Sequence, residues 1–413
     1  MKNCMKILQV NKFLYRRGGA ETHLLDLANL LESHGQEVGF FSTKSPKNRP
    51  TTFNRYFIPY VEMHEQKGVW NKIKTFGHIL YSKNASQKIT ELLKDFRPDV
   101  AHLHNIYHHL SPSILPILKK YHIPTVMTLH DYKLISPNYR LFDRGQICEG
   151  VKGGRYYDCL KHKCIFGETL PSLGATLEMY LHKWLKIYEK NIDLFISPSQ
   201  FLKDKMVEFG QDENKIVILP NFINLSVASI LPPLGNYLLY TGRLVEEKGL
   251  LILLEAAKLI PEVSIRIMGT GPLHNELFNK ITLEQINNVK LVGYKSGEDW
   301  QRELNNARAY VLPSIWYENY PISLLEASAR EKITIASKVG GIPEMITDGV
   351  DGLLFKMGDA EDLANKIKSV WDDENKLRQM GKASRQRVEK QNDPEIYYQK
   401  IMGIYERVSK KIG

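Results

Sequence analysis

A chain of 413 residues is too long for one ordinary hydrophobic core and suits two domains or three. Its 43% hydrophobic and 25% charged residues are a globular balance that excludes intrinsic disorder, and no run reaches the roughly 18 apolar residues of a membrane span. The net charge of +10 favours anionic partners, namely nucleotide phosphates, nucleic acid or an acidic membrane surface. Four cysteines in so long a chain do not form a disulfide framework, so a reducing cytoplasm is expected.

The opening MKNCMKILQV leads from a short apolar run into polar NKFLYRRGG, a first strand rather than a signal peptide. Further β-branched and apolar runs predict strands at Val38–Thr43, Asp99–His104, Pro124–His130, Leu194–Ser197 and Lys215–Leu219, after the first at Lys6–Val10. Between the first two, ETHLLDLANLLESHG places Leu24, Leu27, Ala28 and Leu31 on one helix face and ends at Gly35. The second half predicts strands at Tyr237–Thr241, Ser264–Met268, Lys290–Val292, Ala309–Leu312, Thr334–Ala336 and Gly352–Phe355.

Strands that alternate with helical patterns imply parallel βαβ units. LPNFINLSVASILPPLGN lacks helical period and carries three prolines, so a junction is expected at about 220–236. The expected architecture is α/β, with one Rossmann-like doubly wound domain over 1–220 and another over 236–395. Ligands of such sheets sit beyond the carboxyl ends of the strands, so the loops there are where chemistry is sought.

The loop after the first strand, NKFLYRRGGAE, has Gly18 and Gly19 before a helix whose free amides attract an anion. It is not a dinucleotide fingerprint, since G-x-G-x-x-G is absent. TGRLVEEKGL, after the first strand of the second half, sets Arg243 and Lys248 at that strand's end, a cation pair suited to a diphosphate. In LPSIWYENYPISLLEASA, Pro321 suits a helix's first turn, which puts Glu318 in the loop and Glu326 within an otherwise apolar helix. Such a carboxylate needs a partner: a ribose diol, or a core arginine or lysine. VMTLHDY ends a strand in His130 and Asp131 at the cleft, where His130 serves as acid, base or hydroxyl binder, or merely packs. His102, His104, His108 and His109 lack nearby acids for a metal site and read mostly as surface.

Taken together, these segments resemble the retaining glycosyltransferases of family 4, which have the GT-B fold of two Rossmann-like domains facing across a cleft. GGAETHLLDLANLLESHGQEV is similar to the family's first loop and helix, TGRLVEEKGL to its diphosphate motif and MGTGP to its base-side glycine loop. ENYPISLLE resembles its glutamate pair and VGGIPEMITDGVDGLL its closing segment.

The resemblance implies a metal-independent transfer of a sugar from a nucleotide-diphosphate donor, a UDP- or GDP-sugar, to a glycan or polyprenyl-linked acceptor in cell-surface polysaccharide synthesis. Arg243 and Lys248 would hold the diphosphate, with Gly19 contributing its amide. Gly269 and Gly271 would lie by the base, Glu326 on the ribose, Glu318 on the donor sugar's hydroxyls and His130 beside the transferred sugar. The family often has Gly where this chain has Pro321, so phosphate contacts at that turn would fall to the amides of Tyr320 or Ile322. The last helix, over 396–413, is expected to cross back to the first domain. A GT-B sugar-nucleotide epimerase is the alternative, and a nucleic-acid-binding protein a more distant one, because the basic charge is spread along the chain and no nucleic-acid motif appears.

Two segments carry further expectations. VWNKIKTFGHILYSKNASQKITELLKDF combines Trp70, Phe76, Ile79, Leu80 and Tyr81 with Lys67 just before it and Lys72, Lys74, Lys83 and Lys88 within it, which suits either peripheral contact with an anionic membrane or packing on the sheet. CEGVKGGRYYDCLKHKC lies in an insertion at about 140–170, expected to lack strands and to cap the acceptor side. Its Cys148, Cys159, Cys164 and His162 are candidate ligands of a structural zinc, with free thiols or a disulfide as the other readings.

Overall fold

The computed structural model describes residues 4–60, 76–225 and 234–410. The first sheet consists of β1 (Lys6–Val10), β2 (Glu37–Phe41), β3 (Val100–Leu103), β4 (Thr125–Thr128), β7 (Leu194–Ser197) and β8 (Ile216–Ile218). The second consists of β9 (Tyr237–Thr241), β10 (Ser264–Met268), β11 (Val289–Gly293), β12 (Ala309–Leu312), β13 (Thr334–Ser337) and β14 (Gly352–Phe355). Their orders are β2-β1-β3-β4-β7-β8 and β11-β10-β9-β12-β13-β14, with every recorded pairing parallel. The chain reverses direction in the middle of each sheet, which opens a crevice at the strands' carboxyl ends.

The strand lengths show why the loops matter. The run Pro124–His130 forms a ladder only over Thr125–Thr128, since the chain turns to carry His130 and Asp131 beyond the sheet edge. Val38–Thr43 is shifted to Glu37–Phe41 in the same way. Helix Gly19–Ser33 buries Leu24, Leu27, Ala28 and Leu31 against the first sheet, and Gly35 follows it in the left-handed region, φ 76°.

Helix Pro394–Ser409 is capped by Asp393, whose side chain accepts from the amides of Glu395 and Ile396. It buries Tyr397, Tyr398, Ile401, Tyr405 and Val408 in the same cluster as Ile7, Leu24 and Val100 of the first sheet's layer. Gln36 Nε2 donates to Tyr398 Oη at 2.9 Å, and His34 stacks on that ring at 3.8 Å.

The insertion contains strands, contrary to expectation. A two-stranded antiparallel hairpin, β5 (Phe142–Asp143) and β6 (Gln146–Ile147), turns at Arg144 and Gly145, and helix Tyr157–His162 follows. Phe142 is buried, Cys148 N donates to Leu141 O at 2.8 Å, and Ile147 packs on the second sheet's core, so the hairpin is anchored at both faces.

Of the basic aromatic segment, Lys67, Trp70, Lys72 and Lys74 lie outside the described residues. Residues 76–80 are helical, but Ser82 caps a separate helix, Lys83–Phe96, which buries Ile89, Leu92, Leu93 and Phe96. That part packs on the sheet. Among the described residues no helix is long and apolar enough to cross a membrane.

Candidate active site between the two sheets

The two sheets present their carboxyl ends to one another, and side chains meet across the gap. Asn319 Nδ2 donates to the backbone carbonyl of His130 at 2.8 Å, Tyr132 Oη to that of Tyr317 at 3.1 Å, and Asn221 Nδ2 to that of Tyr320 at 3.3 Å. Glu344 caps helix Gln200–Glu208 from the opposite side, accepting from the amides of Gln200 at 2.8 Å and Phe201 at 2.6 Å. Gly19 lies opposite Ile322.

On the second sheet's side, the loop after β9 packs so tightly on the loop after β10 that only glycine fits. A Cβ on Gly269, φ 150°, would lie 1.8 Å from Gly242 O, and one on Gly271 would lie 2.3 Å from Leu244 O. Leu244 N donates to Thr270 O at 2.9 Å and Leu273 N to Leu244 O at 3.0 Å, which locks the two loops as one platform. Arg243 projects from it, 65% exposed, with a loose 3.6 Å contact to buried Glu247. Lys248 Nζ lies 2.6 Å from Glu318 Oε1, which also accepts from Ser314 Oγ at 2.5 Å, and sits 5.3 Å from the Trp316 ring centre. Burial alone would raise the Glu318 carboxyl, but the Lys248 charge and the bonds to Lys248 and Ser314 outweigh it and hold the group below its ordinary value.

Glu326 behaves differently. It lies in helix Ile322–Ser328, and its carboxylate makes no hydrogen bond or ion pair among the described residues. The nearby buried Arg330 donates to Asn305 Oδ1 and to the backbone carbonyl of Glu326 rather than to its carboxylate. Burial pushes the Glu326 carboxyl up to about 7, opposed by Arg330 and Arg16 and assisted by Asp26 from the facing helix. Pro321 precedes the first helical residue as its N-cap rather than forming the first turn, and Leu324 N donates to its carbonyl at 3.1 Å. Tyr320 is buried, and its hydroxyl accepts from Asn392 Nδ2 at 3.0 Å.

On the first sheet's side, His130 belongs to a buried histidine tier. His102 and His104 are fully buried, not surface residues, and their rings stack at 4.4 Å. Gln9 Oε1 lies 2.9 Å from His104 Nε2, and His104 Nδ1 lies 2.9 Å from His130 Nε2. An amide oxygen only accepts, so His104 donates from Nε2 and accepts at Nδ1. His130 then donates from Nε2, which leaves its Nδ1 as the ring's acceptor. His102 bonds Thr128 Oγ1 and Tyr405 Oη, both at 2.7 Å. Burial, reinforced by the neighbouring His23 and, for His104 and His130, by the other rings of the tier, holds His102, His104 and His130 well below the ordinary histidine value, so all three are neutral.

Several residues beside this tier escaped the sequence reading. Lys12 is lowered by burial, and the charges it feels include Asp131, Glu21, Arg17 and, from the other side, Arg243. Asn11 Nδ2 donates to Phe13 O at 2.8 Å and to Glu21 Oε1 at 3.3 Å, which shapes the loop that holds Lys12. Lys133 forms a buried pair with Glu178 at 2.8 Å, and His108 lies 3.5 Å from the same carboxylate. None of the newly found residues carries a motif: Asn11 and Lys12 are marked only by their position after β1 and Lys133 by its position after β4, while Glu178 comes from helix Thr169–Leu185 and His108 was already in view.

The zinc expectation fails. The Cys164 thiol hydrogen-bonds with Cys148 and Cys159, but His162 is exposed, and among the described residues no group of three or more His, Cys, Asp or Glu side chains is arranged to hold a metal. All four cysteines are free thiols. The insertion instead spans the two sheets: Arg140 lies 3.5 Å from Glu247, and Glu149 pairs with Lys205 at 2.6 Å.

Comparison with known proteins agrees with this geometry. The family model for glycosyltransferase family 4 matches residues 17–227, and that for glycosyl transferases group 1 matches residues 226–387. An uncharacterized 42.6 kDa protein of the cps region of Klebsiella pneumoniae is 25% identical over 83% of this chain and 87% of its own. The amylovoran biosynthesis glycosyltransferase AmsK of Erwinia amylovora is 29% identical over 56% of this chain and 60% of its own. Among solved structures, a sucrose-phosphate synthase from Thermosynechococcus elongatus superposes with TM-score 0.73 at 18% identity, covering 98% of this chain and 99% of its own. Anabaena HepE, in complex with UDP and glucose, superposes with TM-score 0.67 at 18% identity, covering 98% of this chain and 100% of its own. With both halves matched in order and the whole chain superposing on proteins of the GT-B fold, this protein belongs to glycosyltransferase family 4.

Proposed function

We propose that this glycosyltransferase moves a sugar, with retention of anomeric configuration, from a UDP-sugar to a glycan or polyprenyl-linked acceptor of a cell-surface polysaccharide, at the cytoplasmic face of the membrane. The observation that carries the donor assignment is Glu326, whose carboxylate makes no hydrogen bond or ion pair among the described residues, on the helix that follows the Glu318 loop, which Lys248 reaches from the platform bearing Arg243. A ribose diol supplies the two donors that the carboxylate lacks. The exposed Arg243 guanidinium forks onto the diphosphate, Lys248 adds a point charge, and the Gly19 amide meets a phosphate from the opposite wall.

Those cations neutralise the leaving diphosphate, so the transfer proceeds without a metal ion. Glu318, kept ionised by Lys248 and Ser314, accepts from hydroxyls of the donor sugar. His130 is neutral, and its Nδ1 acceptor and backbone carbonyl serve to orient the transferred sugar rather than to supply a proton. UDP is favoured over GDP by the relatives: HepE was solved with UDP and glucose, and an Escherichia coli relative, 28% identical over 52% of this chain, is a UDP-Gal:alpha-D-GlcNAc-diphosphoundecaprenol galactosyltransferase.

The test is a thermal-shift panel of UDP-, GDP-, ADP- and dTDP-sugars with and without EDTA. A donor at 100 times its dissociation constant stabilises the native state by about 2.7 kcal/mol. A UDP-sugar shift that persists in EDTA is the expected result. No shift with any sugar nucleotide would end the reading, and turnover without an acceptor would favour an epimerase.

A further inference from the structure

The hairpin of the insertion, β5 and β6, leans on the second sheet's platform at the single helical turn Glu246–Lys248. A Cβ on Gly145 at its tip would lie 3.2 Å from Glu246 Oε1, and Ile147 packs on the second sheet's core. Arg140, just before the hairpin, reaches the same turn. The Glu247 carboxylate is thereby met by two guanidiniums, one from each wall of the cleft. Arg140 Nη1 faces its Oε2 at 3.5 Å, and Arg243 Nη2 faces its Oε1 at 3.6 Å.

Both distances exceed the roughly 2.7–2.9 Å of a charge-assisted hydrogen bond, so the carboxylate is shared and held tightly by neither arginine. Yet its side chain is only 2% exposed, and a buried carboxylate needs a cation. Lys248, next in sequence, is no substitute, because its ammonium lies 2.6 Å from Glu318. Neither arginine has another acid within ion-pair distance among the described residues. Arg243 is the more exposed of the two and can turn toward a ligand, whereas Arg140 has its Nε buried.

We propose that Arg140 is a positioning residue for the donor: it takes over the Glu247 charge when the diphosphate draws Arg243 away. The inference rests on the reading of Arg243 as the guanidinium that holds the diphosphate. Without Arg140, Glu247 has Arg243 as its single counter-ion, and a donor recruits Arg243 only by stranding a buried carboxylate. Arg140 removes that penalty without touching the ligand. A side chain of the first domain's insertion thus sets the affinity of a site on the second domain.

The full chain is titrated by calorimetry with UDP and with GDP. Arg140→Ala is expected to weaken nucleotide binding about tenfold, and adding Glu247→Gln to restore it to within about threefold of the wild type, since a neutral amide no longer competes for Arg243. Glu247→Gln alone should bind at least as tightly as the wild type, and weaker binding by it counts against the proposal. Unchanged binding by Arg140→Ala overturns the proposal. So does a loss that Glu247→Gln does not restore, which would mean that Arg140 meets the ligand itself or that the hairpin supports the fold, two cases that the melting temperature of the free variant separates. Arg243→Ala checks the reading beneath. If it binds as the wild type does, or if the wild type binds neither nucleotide, the diphosphate assignment fails and the handover with it. If Arg243→Ala loses binding while Arg140→Ala keeps it, the handover alone falls.

Discussion

Asn319 and His130, 189 positions apart in the chain, are joined across the cleft by a 2.8 Å hydrogen bond from side-chain amide to backbone carbonyl. The bond ties the loop after β12 to the loop after β4, so the two walls of the site share one geometry. Replacing Asn319 with alanine removes a single part-buried bond, about 1 kcal/mol, from the closed arrangement. The expected outcome is turnover lowered about fivefold with little change in melting temperature, measured by steady-state kinetics and calorimetry. A melting temperature lowered as far as in a core variant would show that the bond supports the fold rather than closure.

Arg243 and Lys248 should separate in their effects. The exposed Arg243 has only a loose contact to lose, so Arg243→Ala is expected to abolish donor-induced stabilisation while the free protein melts as before. Lys248→Ala strands the buried Glu318 carboxylate and should cost about 3 kcal/mol of stability as well. Adding Glu318→Gln to Lys248→Ala should return much of that stability without returning transfer. Equal melting temperatures for the two single variants would contradict this.

Glu326 makes stability and binding respond to pH in opposite directions. Its carboxyl is raised from 4.5 to about 7 in the folded chain, so the folded state holds a proton that the unfolded state releases. Its contribution to stability is therefore present below the unfolded value and is lost as pH rises from about 4.5 through about 7. A ribose bound through the ionised carboxylate gains instead, with affinity rising about tenfold between about pH 6 and pH 8. Titration of UDP binding by calorimetry checks this, and Glu326→Gln should flatten both profiles.

His104 holds His130 in one tautomer without reaching the cleft itself. His104→Leu leaves His130 Nε2 without its acceptor and frees the ring to turn. Turnover should fall about tenfold with KM for the donor nearly unchanged, as expected of a positioning residue. A change confined to KM would count against the role.

Much of the fold was legible because its strands are short β-branched runs and its site loops follow them. Glu326 stood out for a physical reason, an acid inside an apolar helix that needs a partner, and among the described residues no side chain hydrogen-bonds or pairs with its carboxylate. His102 and His104 misled because histidines in a strand look solvent-facing, while the groups that satisfy them are distant in sequence: Tyr405 lies 303 positions from His102 and Gln9 lies 95 from His104. Periodicity does not register such pairs. The zinc expectation failed for the converse reason. Spacing placed His162 near the thiols in sequence, but Lys163, with φ 53°, ends the short helix in a left-handed turn and the imidazole stays exposed. The hairpin at Phe142–Ile147 was missed because two-residue strands leave no alternation to read.

Helix Pro394–Ser409, whose Tyr405 closes the histidine tier, imposes an order on synthesis. The first sheet's residues leave the ribosome early, yet the layer containing Ile7, Leu24 and Val100 is completed by residues near the chain's end. The second sheet, from Tyr237 to Phe355, is in this sense an insert within the first unit. It can fold as soon as it emerges, while the earlier unit waits with an apolar groove open to chaperones and proteases. Chains cut short before Tyr397 should therefore expose that groove and be degraded, even though every residue proposed to touch the donor has already been made.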